Sequence, residues 1–162
     1  MKLNLGCGKD IRNGYLNLDI VPVEGADPNL FRQHDITNLD DIAEDDSVEE
    51  MLMFNILQVF SHKYVLGILN HWISKLQPGG VLKIVVPDVH EQALSLTSGQ
   101  VDIQHYMLST YGTHANDYDY VKTGFDLTLL VDLLVNKLKL NILNKHCANT
   151  KIIVEAEKSR NE

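Results

Sequence analysis

The sequence predicts an α/β fold built on an open, mostly parallel sheet with an antiparallel edge. Short apolar runs open the chain, two helical patterns then alternate with a nearly all-aliphatic run, VLKIVVP, and two strand-like runs close it. Strands that alternate with helices favour a parallel sheet, and the closing pair of strands favours a hairpin. The 162 residues suffice for one core, so we predict a single domain over residues 1–162.

The first half of the chain is predicted to hold four strands. An apolar run at residues 2–5 stops at a glycine, and YLNLDI alternates apolar and polar side chains as a half-buried strand does. LFRQHDI gives a third strand that ends at Asp35, and VEEMLMF gives a fourth. The connection CGKDIRNGY between the first two strands is too short for a crossover helix and is interrupted by Gly14. We therefore expect short or missing helices between the first three strands.

Two helices and a hairpin are predicted in the second half. Ser61 is a candidate N-cap for a helix whose apolar residues recur on one face and which QPGG ends. VLKIVVP follows as a strand that is covered on both faces. Thr123 is the candidate cap of a second helix, FDLTLLVDLLVNKL, and the runs LNILNKH and KIIVEAE form the hairpin around CANT. Residues 88–122 match no helical or strand pattern.

Composition and charge argue against several classes of partner. A formal net charge of −8, with no run of Lys and Arg, disfavours a nucleic-acid backbone or an anionic membrane as the partner. Cys7 and Cys147 suggest no disulfide framework, and the N-terminus lacks the apolar segment of a signal peptide. The most hydrophobic stretch, MLMFNILQVF, has about half of the roughly 20 residues needed to span a bilayer. We therefore expect a reduced, cytoplasmic protein.

A glycine turn follows the first strand and points to a nucleoside ligand. In an open parallel sheet, ligands bind at the carboxyl ends of the strands, which is where Gly6 and Gly8 lie. The dinucleotide fingerprint requires a third glycine, but Ile11 occupies that position. It also requires an acidic residue roughly 20 residues on, whereas Asp19 follows Gly6 by only thirteen. A helix that holds a pyrophosphate is therefore not expected, and a ligand with a ribose but no phosphate fits better.

Two aspartates and two isoleucines complete the predicted nucleoside site. Asp19 ends the second strand and can accept two hydrogen bonds from a ribose diol. Asp35 ends the third strand, where it can accept from the exocyclic amine of adenine; the alternative, that Asp35 only forms a turn, stays open. Ile20 and Ile36 are placed to sandwich the flat base. Cys7 is expected to be a small buried residue rather than a nucleophile.

The most characteristic segments of the chain are LNLGCGKDIRNGYLNLDI, DSVEEMLMFNILQVFSH, LQPGGVLKIVVPD and IIVEAEK. Together they resemble the class I S-adenosylmethionine-dependent methyltransferases, in particular the small variety in which a loop joins the first two strands. The resemblance implies a seven-stranded Rossmann-like sheet with a reversed final hairpin, and S-adenosylmethionine as cofactor. It also implies the following cofactor-binding residues: Gly6, Cys7 and Gly8 at the methionine part, with Leu5 directly before them, Asp19 at the ribose, Asp35 and Ile36 at the adenine, and Asn55 at the mouth of the fourth strand.

Departures from the pattern of that family keep other functions open. Asn4 stands where the family often has an acidic residue, and Asp10 stands where it has a third glycine. After the fourth strand the family often reads His-Val-Leu-Glu-His, whereas this chain reads NILQV from Asn55. A second hypothesis is therefore a cofactor-binding or scaffold protein with this fold and no catalysis. A nicotinamide-dependent reductase is a third, against which Ile11 and the early Asp19 speak.

Residues 88–122 are predicted to form the acceptor site and a lid. They follow the carboxyl end of the fifth predicted strand and hold four of the six tyrosines. Asp88 and His90 are the nearest candidates for a catalytic base; the alternative is that the rings of this segment simply pack on the sheet. The stretch HANDYD is interpreted as a turn and not as a metal site.

The leading hypothesis is methyl transfer from S-adenosylmethionine to a small-molecule or glycan-type acceptor with an oxygen or nitrogen nucleophile. Such a reaction depends mainly on holding the nucleophile in line, and it needs a base only for a hydroxyl or a protonated amine. Because crossover helices are short or missing, we also expect a homodimer that covers the exposed face of the sheet.

Overall fold

Seven strands and four α-helices form residues 1–160, which the computed structural model describes. The strands are β1 (Lys2–Leu5), β2 (Leu16–Asp19), β3 (Phe31–Gln33), β4 (Val48–Phe54), β5 (Leu76–Pro87), β6 (Asn141–Ala148) and β7 (Lys151–Glu157). The helices are α1 (His62–Lys75), α2 (Val89–Thr97), α3 (Ile103–Tyr111) and α4 (Leu127–Asp132). A 3-10 turn, Leu57–Val59, precedes α1, and a π-helical turn, Leu133–Lys137, continues α4.

The strands form one sheet in the order β3-β2-β1-β4-β5-β7-β6. β1 to β5 pair in parallel, and β7 pairs antiparallel with both β5 and β6, which confirms the predicted fold class. The connections at residues 6–15 and 20–30 contain no helix, as predicted. The strand order reverses between β1 and β4, so the carboxyl ends of these two strands flank the crevice in which ligands of such sheets bind.

Side-chain alternation and turn chemistry explain the C-terminal hairpin. Ile152, Val154 and Ala156 of β7 are fully buried, whereas the residues between them are not. β6 extends to Ala148, so the turn is shorter than predicted and consists of Asn149 and Thr150. Both turn residues have positive φ, 52° and 58°, as a two-residue type I′ turn requires.

α1 and α4 pack on one face of the sheet and enclose the core there. Val65, Leu69 and Trp72 of α1 are buried at helical spacing, as predicted. The sheet contributes these fully buried side chains to the same cluster: Leu3, Leu5, Leu18, Met51, Met53, Leu82, Ile84, Val86, Ile152, Val154 and Ala156. Because these side chains alternate along each strand, they all lie on one face of the sheet.

The opposite face of the sheet is covered only in part. The loop between β1 and β2 lies over its first strands, where the Tyr15 hydroxyl donates to Glu50. Beyond this loop the side chains are partly exposed and are referred to below as the open face: Phe54, Val81, Lys83, Val85, Lys151, Ile153, Glu155 and Glu157, with Asn141, Asn144 and His146 of the edge strand. The prediction that VLKIVVP is covered on both faces is therefore wrong, because no crossover helix follows β1 or β2.

Two predicted boundaries are wrong for local reasons. β3 ends at Gln33, before Asp35, because Asp35 forms a turn of its own with the residues that follow it. Asp126, and not Thr123, caps α4 by accepting from a backbone N–H of the first turn. Thr123 Oγ1 instead donates to the Phe60 carbonyl at 2.6 Å.

Residues 88–122 contain two helices that the sequence pattern did not indicate. Asp88 caps α2 by accepting from two backbone N–H groups of its first turn, and Asp102 caps α3 by accepting from one. α3 buries none of its side chains, and α2 buries only Gln92 and Ser95. These helices therefore show no apolar stripe of the kind that identified α1.

A buried lysine fastens the β3–β4 connection to the end of α1. Lys75 is the last residue of α1 and β5 begins at the next residue, so QPGG lies within β5 rather than ending the helix. Its Nζ lies 2.6 Å from Asp40 Oδ1 and 2.7 Å from Asp45 Oδ1. The hydrogen bonds from Lys75 lower the pKa of both carboxyl groups. These three residues are referred to below as the Lys75 cluster.

Candidate functional site

A cavity of about 1020 Å³ opens at the carboxyl ends of the first strands of the sheet. Its walls come from the turn after β1, residues 19–24, residues 35–37, residues 55–60 and residues 116–122. The cavity lies where the strand order reverses, which is the usual ligand position in open α/β sheets. Its volume matches the upper end of the roughly 300–1,000 Å³ range of small-molecule sites. It therefore has room for a nucleoside ligand and a second small molecule.

The two glycines of the first turn serve different purposes. Both have positive φ, 63° at Gly6 and 51° at Gly8, a conformation that favours glycine. A Cβ at Gly6 would overlap with the side chain of Ile56, so packing within the protein requires this glycine. Both glycines line the cavity, but a Cβ at Gly8 would meet no atom within 4 Å. Gly8 is therefore the residue at which a ligand can approach the main chain.

Asp19 presents a fixed carboxylate to the cavity. Its Oδ2 accepts from the Gly8 N–H at 2.7 Å, and its Oδ1 accepts from the Val21 N–H at 2.8 Å. Each carboxylate oxygen has a second lone pair with which to bind a ligand. Two backbone donors thus orient the carboxylate before a ligand arrives, which lowers the entropic cost of recognition.

Asp35 and the two predicted isoleucines all line the cavity. Asp35 Oδ1 accepts from the N–H of Thr37 at 2.9 Å and from its hydroxyl at 2.8 Å, so Asp35 does form a turn. Neither bond uses Oδ2, so the turn does not prevent Asp35 from binding a ligand. Ile36 is buried and its carbonyl accepts from Trp72 Nε1 at 2.7 Å, which anchors this wall to α1. Ile20 provides a second apolar surface in the same cavity.

Asn55 has an unusual backbone conformation in the cavity wall. Its φ of 55° lies in the left-handed region, which costs a residue other than glycine of order 1–3 kcal/mol. Its N–H donates to the Val85 carbonyl and its own carbonyl accepts from Gln58 Nε2, both at 2.8 Å. Its side-chain Oδ1 is buried and has no hydrogen-bond partner among residues 1–160. A buried acceptor of this kind offers a position for a donor of a ligand.

Charged side chains give the cavity an acidic lining. The lining contains the following charged residues: the carboxylates Asp19, Glu24, Asp35 and Asp119, and the lysines Lys9 and Lys122. A concave site with an excess of one sign of charge concentrates the potential of that sign. The cavity therefore favours a ligand that carries positive charge.

A pair of buried asparagines holds the loop that follows β1 in place of a crossover helix. Asn4 Nδ2 donates to Asn17 Oδ1 and to the Asp10 carbonyl, both at 2.9 Å. Asn17 Oδ1 also accepts from the Arg12 N–H at 2.9 Å, and Asn17 Nδ2 donates to the carbonyls of Arg12 and Leu30 at 3.0 and 2.9 Å. The Asn4 side chain acts here as a donor, a role that an ionised acidic residue at this position cannot take.

Leu5 and Cys7, both predicted to bind the cofactor, lie beside the cavity without lining it. Leu5 is fully buried in the core, and Cys7 is 7% exposed. Burial and the neighbouring Asp19 raise the pKa of the Cys7 thiol to about 12. The Cys7 N–H donates to the Leu18 carbonyl at 3.0 Å, which ties the turn to β2. Cys7 is therefore a protonated packing residue, as expected from the sequence.

Asp88 and His90, the predicted catalytic residues, do not line the cavity either. Asp88 is 4% exposed, and its Oδ1 accepts from the backbone N–H groups of His90 and Glu91 at 3.0 and 3.3 Å. Its Oδ2 lies 3.5 Å from Cys147 Sγ, which donates to it. His90 is exposed on the first turn of α2. The structure thus gives Asp88 a helix-capping role and does not bring either residue to the other candidate site residues.

Residues 112–122 are the last part of the segment predicted to form the acceptor site and lid. They supply four cavity-lining residues, of which the sequence singled out only the tyrosine: Asn116, Tyr118, Asp119 and Lys122. The segment closes on itself, because the Val121 N–H donates to the Tyr111 carbonyl at 3.0 Å. It is also fastened to the 3-10 turn, since the N–H groups of Lys122 and Thr123 both donate to the Gln58 carbonyl, at 2.8 and 3.1 Å. Tyrosine content marked this segment in the sequence, but no local signal marks the lysine.

Residues 1–160 contain neither a cluster of metal ligands nor a helix suited to a membrane. Within residues 1–160, no group of three or more His, Cys, Asp or Glu side chains is arranged to hold a metal ion. No helix of the described chain is long and apolar enough to cross a membrane.

Solved structures that share this fold include several methyltransferases. The sequence itself matches no protein-family model and no curated protein. One similar structure is a 1,6-didemethyltoxoflavin N1-methyltransferase of Burkholderia thailandensis with bound 1,6-didemethyltoxoflavin and S-adenosylhomocysteine (TM-score 0.67, 14% identity, 98% of this chain and 70% of that one). Others are S-adenosylmethionine-dependent methyltransferases of Mesorhizobium loti (TM-score 0.67, 14% identity, 97% and 90% covered) and Methanosarcina mazei (TM-score 0.62, 17% identity, 98% and 92% covered). The chain has the class I S-adenosylmethionine-dependent methyltransferase fold.

Proposed function

We propose that this protein is an S-adenosylmethionine-dependent methyltransferase that acts on a small-molecule or glycan-type acceptor through an oxygen or nitrogen nucleophile. The observation that carries the proposal is the Asp19 carboxylate, oriented by the Gly8 and Val21 N–H groups at the reversal of strand order. A carboxylate held in this way beside an open glycine turn suits a ribose diol. The absence of a helix in residues 6–15 is evidence against a pyrophosphate cradle, and therefore against a nicotinamide-dependent reductase.

The part of the cavity lined by Gly8, residues 19–24 and residues 35–37 fits S-adenosylmethionine in shape and in charge. Ile20 and Ile36 provide two apolar surfaces for the adenine, and Asp35 Oδ2 is free to accept from its exocyclic amine. Gly8 leaves space beside the main chain for the methionine part. The acidic lining suits a cationic sulfonium better than its neutral product, so the site favours the substrate form of the cofactor. Bound S-adenosylmethionine supplies a methyl group that is already activated toward a nucleophile.

The part of the cavity lined by residues 116–122 is proposed as the acceptor site. Asn116 and Tyr118 offer hydrogen-bonding groups there, and Lys122 adds a positive charge. Asp119 is held through Oδ2 by the N–H of Thr113 at 3.0 Å, so its second oxygen is available to take a proton from a hydroxyl or an ammonium. Because Asp88 is committed to capping α2, we assign the role of proton acceptor to Asp119 in its place.

Calorimetric titration with S-adenosylmethionine and S-adenosylhomocysteine tests the proposal. In Asp19→Asn, an amide N–H₂ replaces one acceptor and faces a backbone N–H. The loss of one charge-assisted hydrogen bond, about 2 kcal/mol, predicts about 30-fold weaker binding. Asp132→Asn is the matched control, since Asp132 lies at the end of α4 and pairs only with Asn136. A folded wild-type protein that binds neither ligand at millimolar concentration would refute the proposed function.

A scaffold without catalysis is the second candidate function. It is favoured by the position of Asp88 and His90 outside the cavity, which leaves the site with no histidine among its lining residues. The two functions differ in turnover and not in cofactor binding. Transfer of a radiolabelled methyl group to any small molecule of a cell extract, and its loss in Asp19→Asn, would exclude the scaffold.

A further inference from the structure

We propose that the open face of the sheet binds the open face of a second copy of this chain, so that the protein forms a weak, reversible homodimer. The open face consists of outward side chains at the end of β4 and along β5, β7 and β6. The proposal concerns a surface on the far side of the sheet from the core and does not depend on the cofactor. It rests on the apolar content, the charge and the arrangement of this surface.

An apolar row at the centre of the open face is exposed to solvent. Phe54, Val85 and Ile153 are consecutive cross-strand partners on β4, β5 and β7, so their side chains form a continuous strip. Phe54 is 41% exposed, and the other two are partly exposed. β4 and β5 pair in parallel, and parallel strands are nearly always covered on both faces, whereas the antiparallel β7 can face solvent. Contiguous exposed apolar side chains mark an interaction site. The strip therefore has the character of an interface.

The charge of the open face favours a second copy as the occupant. Lys83 and Lys151 balance Glu155 and Glu157. The ion pairs of Lys83 with Glu50 (2.9 Å) and of Glu157 with Arg160 (3.3 Å) add one further charge of each sign, so the face is neutral and the net charge of −8 lies on the rest of the chain. Two copies therefore repel each other wherever their acidic surfaces meet, and least where their open faces meet. A partner of opposite charge would be drawn to the acidic surfaces and not to this neutral face.

The charges are also arranged so that the face complements itself. Lys83 and Glu155 are direct cross-strand partners, and so are Val85 and Ile153 one step further along. A two-fold axis that runs along the strands between β5 and β7 places Lys83 of each copy against Glu155 of the other. The same axis places Val85 against Ile153. Two opposite-charge contacts and two apolar contacts thus arise from one symmetry operation.

The area of the open face limits the affinity that we expect for the dimer. Four strands spaced by about 4.8 Å and about seven residues long cover roughly 400 Å² per copy. A standard stable interface buries roughly 800 Å² per partner. The dimer is therefore expected to dissociate in the micromolar to millimolar range, where its fraction rises with protein concentration.

Sedimentation velocity of the full chain over that concentration range tests the proposal. Glu155→Lys alone and Lys83→Glu alone each place like charges opposite each other, which should weaken association at least about tenfold. A mixture of the two variants should associate, because the lysines at positions 83 and 155 of the first variant then face the glutamates at positions 155 and 83 of the second. Lys63→Glu on α1 makes the same charge change on an exposed position of the opposite side and should leave association unchanged.

Acetylation footprinting of the wild type gives a readout that does not depend on how a variant folds. Lys83 and Lys151 should become protected as protein concentration rises, whereas Lys63 should not. A wild type that stays monomeric throughout would overturn the proposal and leave the open face to another protein or to further chain of the same polypeptide. Association that both charge variants retain, or that the mixture fails to restore, would overturn it as well.

Discussion

Asn17→Ala is expected to destabilise the protein by about 2–4 kcal/mol, because it removes the centre of a buried hydrogen-bond network. The Asn17 side chain is fully buried, and it binds Asn4, Arg12 and Leu30. The substitution removes the partner of one side-chain N–H of Asn4, and it removes the partner of the backbone N–H and of the carbonyl of Arg12. Each unsatisfied buried group costs about 1–3 kcal/mol, and water replaces part of the loss at Arg12, which is only half-buried.

Urea unfolding followed by the fluorescence of Trp72, the single tryptophan of the chain, measures this effect. With a slope of about 2 kcal/mol/M, the midpoint should fall by about 1–2 M. Asn70→Ala is the matched control, since Asn70 is exposed on α1 and bonds only within the helix, to the Leu66 carbonyl. Its midpoint should change by less than about 0.25 M, which corresponds to the roughly 0.5 kcal/mol of ordinary surface substitutions.

The same network should control the order of the loop that carries Gly8. Hydrogen exchange of the amides at residues 7–12 should accelerate in Asn17→Ala more than exchange of the α1 amides. If Asn17→Ala and Asn70→Ala unfold at the same midpoint and residues 7–12 exchange as in the wild type, the asparagine pair does not replace the missing helix.

Two further predictions concern the first turn and the Lys75 cluster. Gly6→Ala should cost roughly 2–5 kcal/mol, from about 1–2 kcal/mol of left-handed backbone and about 1–3 kcal/mol of overlap with Ile56. Gly8→Ala should cost only the backbone part, since its Cβ enters open space; equal losses in urea unfolding would contradict the distinction. Lys75→Met removes the hydrogen bonds that lower the pKa of Asp40 and Asp45. A lowered folded-state pKa adds stability above the unfolded pKa that is lost as pH falls, so the wild type should lose more stability than Lys75→Met between about pH 5 and about pH 2. Parallel pH profiles of the two proteins would show that these pairs add nothing.

The sheet and the part of the cavity wall that follows β1 and β2 were predictable because their signals are local. The alternation of Ile152, Val154 and Ala156 identified β7, and the early Gly14 identified a connection without a helix. The position of Asp19 in the cavity wall was predictable because Asp19 ends the second strand, and the carboxyl ends of parallel strands meet at one edge of the sheet.

The prediction that Asp88 is a catalytic base was less secure because an aspartate between a strand and a helix can be either a site residue or a helix cap. Asp88 directly follows a strand, which is typical of a site residue, but it also directly precedes a helix, which is typical of a cap. Without an apolar stripe in α2, the helix was not visible, and the capping role could not be inferred. Lys122 lies in the cavity wall, where its backbone N–H donates to the carbonyl of Gln58, a contact between distant parts of the chain that no local pattern indicates.

The hydrogen bond from the Val121 N–H to the Tyr111 carbonyl closes off the segment that is proposed to bind the acceptor. It thereby keeps this segment independent of the strands that carry the proposed cofactor contacts. The ends of residues 112–120 meet at this bond, so the segment can lengthen, shorten or change composition without altering the strands beneath it. The proposed adenosine contacts, in contrast, come from Asp19 at the end of β2 and from short turns directly after β1 and β3, whose positions the whole sheet determines. Variation among closely related chains should therefore accumulate in this one excursion, and recognition of new acceptors should evolve there while the nucleoside contacts stay constant.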